Sequence, residues 1–157
     1  NHRSISFFEK SDAYISLHRS EGFGITIADA ISYGVPIIVT AYSGNMDFCN
    51  PDYNLLVKYK LVKIGHERLR YRKEEMWAQP DQKDFEKKLV DVFKNHKKYL
   101  KLADTFRDIL SKKMSKSKIS DLAKKRLVLI SKEFDYQNNM YDRKIDKNIE
   151  AKNFYGI

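Results

Sequence analysis

The sequence predicts an α/β fold, a parallel sheet flanked by helices. Three observations lead there. Two short, β-branched or apolar runs lie either side of a segment with helical periodicity. A glycine-containing turn, Glu21-Gly22-Phe23-Gly24, joins the first run to that segment. Gly34 and Pro36 then separate the segment from the second run, in the order usual for a helix C-terminus.

Residues 12–18 are mostly apolar and free of breakers, so they read as a buried strand. In residues 25–33, Ile27, Ala28, Ala30 and Ile31 share one helical face. Residues 37–40, Ile-Ile-Val-Thr, read as a second buried strand. Strand, glycine loop, helix, glycine stop and strand form a βαβ unit, which makes parallel sheets with right-handed crossovers. Residues 55–62 read as a strand at or near an edge. Residues 65–76 are basic and aperiodic and read as a mobile loop. Three further sets repeat at helix spacing: Phe85, Leu89, Val92 and Phe93; Leu102, Phe106, Ile109 and Leu110; Ile119, Ala123, Leu127, Ile130 and Phe134. With lysines on their other faces, they read as amphipathic helices packed against the sheet. This places one domain over residues 1–134, followed by a polar segment, 135–157, that is a crossover helix or a tail.

Ligands of open α/β sheets bind beyond the carboxyl ends of the strands, where the Glu21–Gly24 turn lies. A helix starting near Phe23 aims free N–H groups and its positive dipole end at that turn. Glycines 22 and 24 let backbone amides come close to a phosphate or sugar. Asp29 adds a second carboxylate eight residues after Glu21. The loop after the second strand, Thr40-Ala41-Tyr42-Ser43-Gly44-Asn45-Met46-Asp47, supplies another glycine and another acid at the same edge.

Net charge is +9 and uneven. Residues 1–57 carry three basic and six acidic side chains, net −3, and residues 58–157 carry 27 and 15, net +12. No nucleic-acid motif accompanies the basic half and acids interrupt its lysines, so solvated helix faces explain it better than nucleic-acid binding. The single cysteine, Cys49, excludes an internal disulfide and suits a cytoplasmic protein, and nothing around it suggests a nucleophile. Four scattered histidines, with no acid or cysteine at ligand spacing, predict no metal.

Over roughly residues 12–110 the chain resembles the retaining glycosyltransferases of family 4, specifically the donor-binding, Rossmann-like C-terminal half of their GT-B fold. Ser16-Leu17-His18-Arg19-Ser20-Glu21-Gly22-Phe23-Gly24 is similar to the family's S-x-x-R-S-E-G-F-G. Residues 34–40 are similar to its G-x-P-V-I-A-T, residues 42–48 to the Y-S-G-N-x-D-F of a bacterial branch, and Trp77-Ala78-Gln79-Pro80-Asp81 to that branch's W-A-E-P-D. The resemblance implies that Glu21, the residue assigned to catalysis, contacts hydroxyls of the donor sugar and that Asp29 holds the ribose hydroxyls. It implies that amides of Gly22, Phe23, Gly24, Ile25 and Thr26 take the sugar and diphosphate, and that Ser43, Gly44 and Asn45 line the sugar side. Asp47 matches the branch motif. Asp29 stands where the family has Glu, shorter by one methylene, or about 1.5 Å. Arg19 belongs to the motif and reads as a local loop residue rather than a diphosphate clamp.

The implied protein is the donor half of a two-domain enzyme that transfers sugar from a nucleotide-diphosphate sugar, without metal or other cofactor, to a glycan or lipid-linked acceptor held by an N-terminal domain. Bacterial surface-polysaccharide synthesis, a cytoplasmic location and peripheral contact with the inner membrane face fit that reading. A non-catalytic binding or assembly module of the same fold is the alternative. A sugar epimerase of related fold is disfavoured by the paired E-G-F-G and S-G-N-x-D motifs.

Overall fold

A computed structural model describes residues 7–66 and 71–142, with side chains to residue 134. The chain divides into two compact units, Asn1–Lys113 and Met114–Ile157. In the first unit, strands β1 (Tyr14–Ser16), β2 (Ile37–Thr40) and β3 (Leu55–Val57) form a parallel sheet in the order β1-β2-β3. Tyr14 pairs with Ile37 and Ile38 with Leu55. Helix α1 (Ile25–Ser32) connects β1 to β2, so the expected βαβ unit is present. After β3 come the strands β4 (Tyr59–Lys63) and β5 (Met76–Pro80), then the helices α2 (Gln82–Lys94) and α3 (His96–Lys113).

The central strand β2 is buried at all four positions, and its alternation sorts the core into two layers. Ile37 and Val39 pack with Ile27, Ala30 and Ile31 of α1 and with Phe106 and Leu110 of α3. Ile38 packs on the other side with Val57, Val92 of α2 and Tyr99 of α3. Helix α3 therefore serves both layers, its N-terminal half one and its C-terminal half the other. Its start is tied to the strand entry, where His96 Nε2 hydrogen-bonds the Asp12 carbonyl at 2.9 Å. Tyr99 hydroxyl donates to the Asp91 carboxylate, joining α3 to α2. Burial, and then that bond, push the Tyr99 hydroxyl up to about 12.

Helix α1 ends as expected. Gly34 takes a left-handed conformation, φ +69°. Its N–H bonds the Ile31 carbonyl while Val35 N–H reaches back to Ala30, the paired bonds of a Schellman stop. Asp81 caps α2 through a bond from Asp84 N–H at 3.0 Å. Replacing Asp81 with Ala is expected to destabilise the unit by about 1 kcal/mol. A chemical-denaturation midpoint equal to wild type would remove the cap from the list of stabilising contacts.

Several expectations change. The run at 55–62 is two strands, broken at Lys58. Lys58 N–H donates to Asp84 Oδ2 at 2.8 Å, and its carbonyl accepts from Asp81 N–H at 2.7 Å. The start of α2 thus claims both backbone groups, and β4 turns away to pair antiparallel with β5. Burial would raise the Asp84 carboxyl, but bonds from Lys88 and Lys58, with their charges, outweigh it and hold the carboxyl below its usual range.

The basic segment forms part of that hairpin. Gly65 N–H bonds the Lys73 carbonyl, while residues 67–70 lie outside the described set. Strand β1 is only partly buried, with Ile15 43% exposed, because among the described strands it sits at the sheet edge. Phe93 is 86% exposed. Successive i+4 positions drift about 40° around a helix, which carries Phe93 off the face that Phe85 and Val92 share.

The second unit holds helix α4 (Lys116–Asp142), which runs without a break through residue 134, where the sequence suggested a boundary. Ile119, Ala123, Leu127, Ile130 and Phe134 are all exposed rather than packed. Among the described residues of this unit no second element covers them. Residues 143–157 of the suggested tail lie outside the described set.

Candidate functional site

Two loops meet at the carboxyl edge of β1 and β2. The first, residues 17–24, leads from β1 into α1. The second, residues 41–47, leaves β2 and ends in a 3-10 turn, Gly44–Asp47. They touch through backbone. Gly44 N–H donates to the Glu21 carbonyl at 3.1 Å. Ser43 Oγ accepts from Glu21 N–H at 2.7 Å and donates to the Glu21 carbonyl at 2.5 Å. Both peptide groups of Glu21 are thereby held by the second loop. A Cβ on Gly44 would lie 1.9 Å from the Gly22 carbonyl oxygen, so the contact requires glycine.

Ser43 adopts φ 78°, ψ −155°. That region is populated almost only by glycine and costs on the order of 1–3 kcal/mol, which the surrounding bonds offset. Gly24, the residue before α1, has φ 85° and no side chain to cap the helix. Its substitution is strained, and an added Cβ would crowd Ile27 at 3.1 Å. The amides at the start of α1 thus have no capping side chain of their own.

The structure brings Glu21, Gly22, Phe23, Gly24, Ser43, Gly44 and Asn45 together. Glu21 is half-buried, and its carboxylate makes no hydrogen bond or ion pair among the described residues. Gly22 faces open space. Phe23 rests against Phe48 at 5.1 Å between centroids. Ile25 is 69% exposed in the first turn. Thr26 Oγ1 accepts from the Tyr14 hydroxyl at 2.9 Å, which fixes the helix start on β1. Asp29 and Asp47 are exposed, and Asp29 has no side-chain partner among the described residues.

Asn45 is different, because it is fully buried and sits behind the loop. Its Nδ2 donates to the Thr40 carbonyl at 3.0 Å. Its Oδ1 therefore faces His18 Nε2, at 3.2 Å, and the same nitrogen lies 3.0 Å from the Tyr42 carbonyl. Both partners only accept, so Nε2 carries the hydrogen, and Nδ1 is hydrogen-bonded with Ser16 Oγ at 3.2 Å. His18 has no counterpart among the residues the sequence singled out. Its partners lie 24 and 27 positions away, and no local pattern announces them.

Residues 1–71 match the family model described as glycosyl transferases group 1. The matched stretch contains both loops, α1 and the whole parallel sheet, somewhat less than half of the chain. That stretch is therefore similar to glycosyl transferases of group 1. No curated protein matches the chain.

Arg19 is a loop residue, its guanidinium 4.6 Å from the centre of the Trp77 ring. Its carbonyl accepts from Ala78 N–H at 2.9 Å, so β5 braces the loop that carries Glu21. The groove at the hairpin root, about 620 Å³ and lined by Tyr59, Lys60, Gln79, Asp81, Lys83 and Glu86, takes none of its lining from the paired loops. Burial pushes the Cys49 thiol up to about 11, although a bond with Asn45 works against it, so Cys49 is not poised as a nucleophile. Among the described residues no group of three His, Cys, Asp or Glu side chains could hold a metal ion, and no helix is long and apolar enough to cross a membrane.

Proposed function

We propose that this chain is the donor-binding half of a retaining glycosyltransferase that uses a nucleotide-diphosphate sugar. The observation that carries the reading is the lock between the two loops. It holds the Glu21 backbone at a strand edge beside uncapped helix amides and leaves the Glu21 carboxylate unpaired. Glu21 orients the donor sugar through its hydroxyls. Amides of Gly22–Thr26 take the diphosphate, where a helix N-terminus stabilises the charge that develops on the leaving group. Asp29, one methylene shorter than the family's acid, holds the ribose diol. Ser43 and Gly44 shape the sugar side, Asn45 supports them from behind, and Asp47 borders the pocket.

Transfer needs both reactants in one geometry, so the acceptor, a glycan or a lipid-linked glycan, is held by another domain. Metal has no role in this reading. The similarity of the Y-S-G-N-x-D-F and W-A-x-P-D segments supports a cytoplasmic place in bacterial surface-polysaccharide synthesis. The net charge of +12 over residues 58–157 supports a peripheral contact with an anionic membrane.

Titration with UDP, GDP and their sugars, followed by amide shifts, tests the site. Shifts are expected at Phe23–Thr26, and none at millimolar ligand sinks the proposal. Glu21→Ala is expected to weaken nucleotide-sugar binding about tenfold while changing bare-nucleotide binding little. Equal losses would contradict the sugar contact. The shortened Asp29 favours a second reading, a non-catalytic module, which predicts donor binding without turnover by the full-length protein.

A further inference from the structure

We infer that His18 is a positioning residue that sets the donor-sugar loop by holding both flanks of Ser43. This rests on the donor-site reading above and adds to it a residue that touches no substrate. The imidazole Nε2–H is shared between the Tyr42 carbonyl at 3.0 Å and Asn45 Oδ1 at 3.2 Å. Tyr42 precedes Ser43, and Asn45 follows it by two residues. Ser43 occupies a backbone conformation that serine rarely adopts, and its hydroxyl grips both peptide groups of Glu21. A strained residue persists only where its surroundings over-determine it. Here those surroundings include the Glu21 backbone on one side and the imidazole N–H on the other, together with Met46 N–H on the Ser43 carbonyl and Tyr42 N–H on that of Thr40. Asn45 cannot turn to release that N–H, because its Nδ2 is committed to the Thr40 carbonyl.

The chain of contact is therefore His18 to Tyr42 and Asn45, through Ser43, to Glu21. His18 and Glu21 are three residues apart, yet hydrogen bonds connect them by way of the second loop. With Nε2–H on the second loop, Nδ1 meets Ser16 Oγ at 3.2 Å, so both ring nitrogens have a partner.

The test compares wild type with His18→Gln and His18→Phe, by amide shifts without ligand and by binding of a nucleotide sugar and its bare nucleotide. The glutamine amide nitrogen reaches the place of Nε2, and phenylalanine fills the volume without an N–H. In His18→Phe the amides of Glu21, Ser43 and Gly44 are expected to move before any ligand is added. Nucleotide-sugar affinity is expected to fall about tenfold, and bare-nucleotide affinity by less than about twofold. His18→Gln is expected to restore sugar binding to within about threefold of wild type. Unmoved amides, equal loss of both ligands, or a glutamine variant no better than phenylalanine each overturn the inference. Should His18→Phe fail to fold, His18→Asn replaces it. Its amide takes the place of Nδ1, falls short of Tyr42 and Asn45, and is expected to behave as phenylalanine. Should wild type bind no nucleotide sugar, the donor reading fails, and the ligand-free shifts still decide the role of His18.

Discussion

Gly44→Ala is expected to force the two loops apart and abolish the proposed donor site. The added methyl carbon would lie 1.9 Å from the Gly22 carbonyl oxygen, 2.6 Å from the Gly22 carbonyl carbon and 3.0 Å from Phe23 Cα. All three are backbone atoms, so no side chain can rotate away. Separation breaks the bond from Gly44 N–H to the Glu21 carbonyl and strains both bonds of Ser43. Overpacking of this kind costs about 1–3 kcal/mol, and two or three lost hydrogen bonds add about 1 kcal/mol each. The expected result is a lower denaturation midpoint, displaced Glu21 and Gly22 amides, and nucleotide-sugar affinity reduced by at least about tenfold. Gly22→Ala is the control, because a Cβ there meets no atom within 4 Å and the fold should not change. A Gly44→Ala protein with wild-type stability and an unmoved Glu21 amide would show that the close approach is not what holds the loops.

Phe106→Ala is expected to have the largest effect on stability. Phe106 is 3% exposed, lies with Ile27, Ile31, Ile37 and Val39 in one core layer, and stacks on Tyr53 at 5.2 Å. Removing a buried phenylalanine ring costs about 3–5 kcal/mol, from lost transfer energy and from the cavity left behind. Helix α3 spans both core layers, so the damage should reach the sheet and not α3 alone. Phe93→Ala sets the scale. That ring is 86% exposed and its loss should stay within about 0.5 kcal/mol. Comparable losses from the two variants would mean that α3 is not packed as described.

The contrast between these two phenylalanines marks what the sequence could reveal. Both sit in amphipathic sets, and spacing alone ranks them equally. The parallel βαβ unit was legible because its signals are local: an apolar run, a glycine turn, and Gly34 and Pro36 at the helix end. The break at Lys58 was not, because Asp81 and Asp84 impose it from more than twenty residues away. Helix α4 shows another limit. Periodicity states which face would be buried against a partner and says nothing of whether one is present.

At the site the split is similar. Glycines and acids at strand ends mark the two loops, and the structure joins them. That Asn45 lies behind the loop, and that His18 holds it, follows from pairings between distant segments. Strand β5 was hidden as well, since a five-residue run ending in Pro80 acquires its register from β4.

The hairpin β4–β5 departs from the sheet and returns to it at one place. Lys58 carbonyl and Asp81 N–H are hydrogen-bonded, so the intervening chain is a cassette whose ends already meet. Its turn can lengthen or shorten at a closure cost that grows only logarithmically, leaving the parallel sheet as it is. The returning strand has no such freedom. Ala78 N–H rests on the Arg19 carbonyl and Trp77 lies under the Arg19 guanidinium, two residues before Glu21. Changes in length between the two strands are expected to cost the sheet little, whereas a change in β5 is transmitted to the loop that carries Glu21.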